Sequence, residues 1–135
     1  MGKAQRVKGH TFERKVANMF KDIGYPNAKR HLEFQFQEAM GYDIDGTFPY
    51  YIQCKKHKAY VPISTIEEVK PQKDGVPVLI SEPDRGEAVA VLYLKDFLSL
   101  LKKVKGLEIE NGNWTQEADL RRENNQINTN RPGPD

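Results

Sequence analysis

The chain has 135 residues, a net charge of +2, 38% hydrophobic residues and one cysteine. That length suits one domain with a core that needs no staples. A lone cysteine excludes a disulfide framework and a multi-cysteine zinc site, and points to a reduced setting. No apolar run approaches the roughly 18 residues of a membrane span, and Met1-Gly2-Lys3-Ala4-Gln5-Arg6 has no apolar segment behind its charges, so neither a span nor a secretory leader is expected.

The small net charge hides an asymmetry. Residues 1–60 hold 11 Lys/Arg against 6 Asp/Glu, and residues 61–135 hold 10 against 13. All three histidines, His10, His31 and His57, fall in the basic part. A basic half points to a polyanionic partner, although an ordinary solvated surface accounts for the charge equally well.

In chain order, residues 1–8 read as a loose basic segment and a helix follows from Gly9 to Ile23. Phe12, Val16, Met19, Phe20 and Ile23 mark one helical face. Gly24 and Pro26 stop the helix. Leu32, Phe34 and Phe36 alternate with Glu33 and Gln35, which suggests a strand or extended arm. Tyr42–Phe48 reads as a strand with Asp43 and Asp45 on one face; Pro49 marks a turn. Tyr50–Lys56 is a second strand, with Gln53 and Lys55 opposite Ile52 and Cys54. Ser64-Thr65-Ile66-Glu67 is a capping box that starts a helix running to about Lys70, before Pro71. Val76–Ser81 and Glu87–Leu94 are strands, the latter apolar enough to be central. Asp96–Val104 is a closing helix. Residues 107–135 form a polar tail with Trp114 as its only large apolar anchor, expected to be disordered in isolation or an arm on a partner. The pattern implies an α/β fold: a mixed central sheet of four or five strands flanked by helices.

The hairpin carries most of the chemistry. Asp43 and Gln53 would offer a carboxylate and an amide oxygen to a hard cation such as Mg²⁺ or Mn²⁺, and the backbone carbonyl of Cys54 could complete the set. Lys55, two residues from Gln53, could hold an attacking water or offset charge building on a phosphate. Asp45 rivals Asp43, because both point the same way. Alternation alone favours an ordinary half-solvated hairpin. Against that, Tyr50–Cys54 is too apolar for a wholly exposed strand, and Gly41 and Gly46 free the backbone at both ends of the acidic segment. Cys54 alternates away from the acidic face and reads as core.

Glu13 on the first helix, Gly41-Tyr42-Asp43, and Tyr51-Ile52-Gln53-Cys54-Lys55-Lys56 together resemble the PD-(D/E)xK nuclease superfamily. The nearest branches are the archaeal and phage Holliday-junction resolvases and the Mrr-type endonucleases, in which Gln replaces the acidic residue of the third motif. Gly9 followed by Phe12-Glu13-Arg14 is similar to the resolvase helix, and Val76–Leu101 to the end of the same core; the likeness covers residues 7–104.

The resemblance implies a restriction-endonuclease-like αβββαβ core over residues 1–106. It implies Asp43 as principal metal ligand, Gln53 as second ligand, Glu13 as a ligand through water and Lys55 as catalytic lysine. The implied activity is Mg²⁺- or Mn²⁺-dependent cleavage of branched DNA, with a four-way junction preferred. Two opposed cuts need two sites, hence a homodimer. Lys8, Arg14, Lys29, Arg30, His31, Lys56, His57 and Lys58 are the candidates for DNA contact. The expected setting is cytoplasmic, in a host cell if the chain is phage-encoded. The alternatives are an Mrr-like enzyme on duplex DNA, a DNA-binding module with an inactive site, and a structural subunit that binds a partner through its tail.

Overall fold

The computed structural model describes residues 3–32 and 40–110. The expected arm at Leu32–Phe36 lies almost wholly outside these residues, as does the tail beyond 110. The chain divides into two compact units, Met1–Tyr93 and Leu94–Asp135.

The first unit opens with helix α1, Lys3–Asp22, which starts six residues earlier than its apolar face predicts. All of Lys3 to Lys8 except Val7 are good helix formers, none is Gly or Pro, and the cost of about 1 kcal/mol at Gly9 does not break the run. Phe12, Val16 and Ala17 are buried on its inner face, with Phe20 packed beside them. Met19 and Ile23, expected on that face, are exposed instead. The helix ends in a Schellman arrangement: Tyr25 N–H donates to the Phe20 carbonyl and Gly24 N–H to that of Lys21, with Gly24 at φ +113°.

Five strands follow, β1 (Lys29–Arg30), β2 (Ile44–Asp45), β3 (Tyr50–Lys56), β4 (Val76–Glu82) and β5 (Val89–Val91), side by side in chain order. β1, β2 and β3 are antiparallel neighbours, β3 and β4 run parallel, and β4 and β5 are antiparallel. The sheet is therefore mixed, as the sequence implies. Val89–Val91 is a three-residue edge strand and not a central one, with Val89 exposed; its expected C-terminal residue, Leu94, already belongs to the next helix.

The parallel β3–β4 pair needs a crossover, and the 3₁₀ helix Ile63–Glu68 lies on it. It begins where the Ser64-Thr65-Ile66-Glu67 pattern predicts, but it has no side-chain cap and stays a short 3₁₀ segment.

Ile44, Ile52, Cys54 and Val78 pack with α1 and Ala28 into one buried cluster. Leu79, Ile66 and Val69 are buried outside it; strand alternation turns Leu79 to the sheet face opposite Val78, and the 3₁₀ helix packs on β4. Gly41 joins that helix to the acidic segment. At φ +78° a side chain is strained, and a Cβ there would collide with the Glu68 carbonyl group. Lys70 N–H donates to the Met40 carbonyl at 2.8 Å, which closes the approach.

The second unit contains helix α2, Leu94–Glu110. It begins two residues before the predicted start and continues through Gly106. None of its residues is buried.

Candidate active site

Asp43 immediately precedes β2, and its carbonyl accepts the His31 N–H at 2.7 Å. The Asp43 N–H donates to the Ile52 carbonyl at 2.7 Å, and its Oδ2 accepts the Cys54 N–H at 2.7 Å in place of a backbone carbonyl. That bond ties the carboxylate to the middle of β3, beside the residues the sequence pairs with it.

A cleft of about 820 Å³ opens at this point. Glu13 from α1, Asp43, Cys54 and Lys55 all line it. So do Arg6, Lys8, His10, Lys56, His57 and Lys58, which gives the same cleft a basic wall. Three of the four residues predicted for catalysis therefore meet in one cavity. The fourth, Gln53, is 2% exposed and does not line it. Asp45, the rival to Asp43, lies outside the cleft: it faces a separate small pocket and its Oδ1 sits 2.9 Å from Nδ1 of His31.

Each member has a partner that limits its freedom. Arg30 Nε donates to Glu13 Oε1 at 3.0 Å, with both side chains at least four-fifths buried. Lys55 Nζ is 3.6 Å from Glu68 Oε1. Gln53 Nε2 donates to the same Glu68 oxygen at 2.9 Å. The other end of that amide, Oε1, is a buried polar atom with no hydrogen-bond partner. Burying an unpaired carbonyl oxygen costs roughly 1–3 kcal/mol, a cost that a donor or a cation at this atom would offset. The two carboxylates that line the cleft, Glu13 and Asp43, offer the hard oxygens that Mg²⁺ and Mn²⁺ prefer, and the unpaired Gln53 oxygen on β3 is of the same chemical type although it does not line that cleft. Among the described residues no three His, Cys, Asp or Glu side chains are grouped to hold a metal by themselves.

Burial pushes the Cys54 thiol far up, and the Asp43 and Glu13 carboxylates push it further. The thiol is thus held neutral, which suits a core residue and not a nucleophile.

The candidate DNA contacts divide. Lys8, Lys56, His57 and Lys58 line the cleft. Lys56 is committed within the fold, donating to the Pro83 carbonyl at 2.8 Å and lying 3.0 Å from Glu82 Oε1. Lys8 pairs with Asp84 at 2.7 Å, with the two side chains 41% and 43% exposed. Arg14 and Lys29 are exposed and do not line the cleft. Arg30 is taken by Glu13 and His31 by Asp45, and the His31 ring also lies against Tyr42 with centroids 4.6 Å apart. Burial, with the Asp45 charge, raises the Tyr42 pKa and keeps its phenol neutral.

Glu68 was not legible as a site residue. Its only trace in the sequence is indirect: a buried Gln at 53 needs an acceptor for its amide, and nothing in the spacing says which of the chain's acidic residues supplies it.

No protein-family model matches the chain, and neither does any curated protein or solved structure.

Among the described residues no helix is long and apolar enough to cross a membrane.

Proposed function

We propose that the chain is a metal-dependent DNA endonuclease that cuts branched DNA, with the four-way junction as its preferred substrate and a symmetric homodimer as its working form. The reading rests on one observation: Glu13, Asp43 and Lys55 share a cleft with Arg6, Lys8, His10, His57 and Lys58. Carboxylates alone would repel a phosphodiester, and a basic groove alone would bind it without cutting. Both in one cavity suit hydrolysis.

Bound Mg²⁺ or Mn²⁺ would supply Lewis-acid polarisation of the phosphoryl oxygen and a water acidic enough to attack at neutral pH. Asp43 and Gln53 would hold that ion, with the Cys54 carbonyl as a further oxygen and Glu13 reaching it through water. The chain's own contribution is orientation and charge. Asp43 is fixed by the Cys54 N–H, so its carboxylate needs no reordering when the ion enters. Lys55, lining the same cleft, would offset the negative charge that grows on the phosphate. Lys58 and His57, exposed beside it, would follow the DNA backbone.

One finding favours a second reading, a DNA-binding module with an inactive site: no three acidic, histidine or cysteine side chains group to hold a metal among the described residues. One experiment separates the readings. Labelled four-way junction, linear duplex and single strand are incubated with wild type and Lys55→Ala, in Mg²⁺, Mn²⁺ or EDTA. Junction-selective nicking, lost in EDTA and reduced at least a hundredfold in the variant, is the expected result. Equal cutting of linear duplex would move the assignment to an Mrr-like enzyme. Tight binding with no cutting in either metal would establish the inactive module.

A further inference from the structure

We infer that Glu68, on the 3₁₀ helix, is a positioning residue that turns Gln53 into a cation ligand and holds Lys55 beside it. The inference rests on the nuclease reading above and deepens it.

A glutamine is an ambiguous ligand. Its two ends are nearly equal in size but opposite in chemistry, an acceptor oxygen and a donor NH₂. Only the oxygen can bind a cation, so an amide free to turn would offer the wrong end for part of the time. A carboxylate removes the ambiguity, because it accepts from NH₂ and repels oxygen. Glu68 Oε1 accepts from Gln53 Nε2 at 2.9 Å. The amide oxygen is thereby turned away from Glu68, buried and without a partner. It is therefore an oriented acceptor whose own partner is still to come. The same Glu68 oxygen lies 3.6 Å from Lys55 Nζ, so one carboxylate atom steers two candidate site residues on the same strand.

A surface role explains this less well. Glu68 is 60% exposed and its ion pair with Lys55 is loose, so as a salt bridge it would contribute little. The fold nevertheless places it with care. Gly41 is packed against the Glu68 backbone at a spacing no other residue allows, and Lys70 N–H bonds Met40 just beyond. The backbone of Glu68 is thus fixed against Gly41, and its carboxylate reaches Gln53 and Lys55 on β3. Partners that orient a metal-binding side chain typically change metal affinity by about 10–100-fold when removed, and that is the expected scale here.

The test measures Mn²⁺ binding directly, through the paramagnetic resonance of the free ion, with and without a short duplex. The Mn²⁺ dependence of junction cleavage is measured alongside. Glu68→Ala is expected to raise the half-saturating Mn²⁺ concentration at least tenfold in both assays, with the circular dichroism spectrum unchanged. Glu68→Gln, which can still accept from Gln53 but carries no charge, should fall between. In a Gln53→Met background, Glu68→Ala should add less than twofold to the Mn²⁺ requirement, because the residue acts through the amide. If wild type binds Mn²⁺ and cuts DNA while Glu68→Ala shifts the half-saturating concentration less than twofold, the positioning role is overturned and the nuclease reading stands. The role is overturned equally if the full effect persists without Gln53. If wild type neither binds Mn²⁺ nor cuts DNA, both fail together.

Discussion

Gly41→Ala probes the joint on which the site depends. Two separate penalties can be read from the structure. The residue sits at φ +78°, where an L side chain costs roughly 1–2 kcal/mol. The added Cβ would also fall 2.6 Å from the Glu68 carbonyl carbon and 3.0 Å from Val69 Cα. Relieving that to ordinary carbon contact, about 3.5–4.0 Å, requires the two backbones to part by ~1 Å. Overpacking of this kind costs about 1–3 kcal/mol, so the total is about 2–5 kcal/mol. Gly24→Ala separates the two terms: it has φ +113° and nothing within 4 Å of its Cβ, so it carries the conformational penalty alone. The assay is urea unfolding of both variants beside wild type. Gly41→Ala should lose at least 1 kcal/mol more than Gly24→Ala. Equal losses would refute the claim that the Gly41–Glu68 approach is tight.

Two further outcomes follow from named contacts. Asp43→Asn should keep the fold, because an amide oxygen still accepts the Cys54 N–H, yet abolish Mn²⁺-dependent cutting; Asp43→Ala leaves that N–H unpaired and should also cost about 1–3 kcal/mol in urea unfolding. The hydrogen bond from Lys56 holds the Glu82 carboxyl below its usual value of 4.5, against the opposing effect of burial, with Lys15 aiding. A carboxyl whose folded pKa is depressed contributes stability above its unfolded value, and that contribution is lost as pH falls through the folded one. Glu82→Gln should therefore be less stable than wild type at pH 7 and lose less between pH 4.5 and 3, and an unchanged slope over that interval would contradict the assignment.

What the sequence could reveal depended on whether the signal was local. The β3–β4 pair was readable because Tyr50–Cys54 and Val76–Ser81 are apolar runs bounded by turn residues, and α1 because Phe12, Val16 and Phe20 recur at helical spacing. β5 misled because Val89–Leu94 is as apolar as a central strand, and composition does not say which strand lies at an edge. The capping box at Ser64 located a helix start but not its type, since Pro71 leaves too few residues for a full α-helix. The same divide runs through the site. Glu13, Asp43 and Lys55 sit in recognisable local phrases. The Arg30–Glu13, His31–Asp45 and Gln53–Glu68 contacts join residues 17, 14 and 15 positions apart on different elements, and only the folded chain brings them together. Met19 and Ile23 show the limit of periodicity itself: they share the helical face expected of Phe12 and Val16, yet both are exposed in the fold.

The charges around the site bear on how a cation would be held. Asp43 and Glu13 bring two negative charges to the cleft, and Arg30 offsets the one on Glu13. Gln53 brings none, and the nearby Glu68 already accepts from Gln53 and pairs with Lys55 through a single oxygen. Affinity for a hard dication rises with the number of carboxylates that face it, so on the proposed reading the protein alone is a weak metal site. A phosphodiester in the basic cleft would add an anionic oxygen where the missing carboxylate would stand. Ion and DNA would then bind with positive coupling, each tightening the other by the same factor. A glutamine at 53 is on this account a means of keeping the ion's affinity dependent on the substrate, and Glu68 the residue that makes a neutral ligand serviceable.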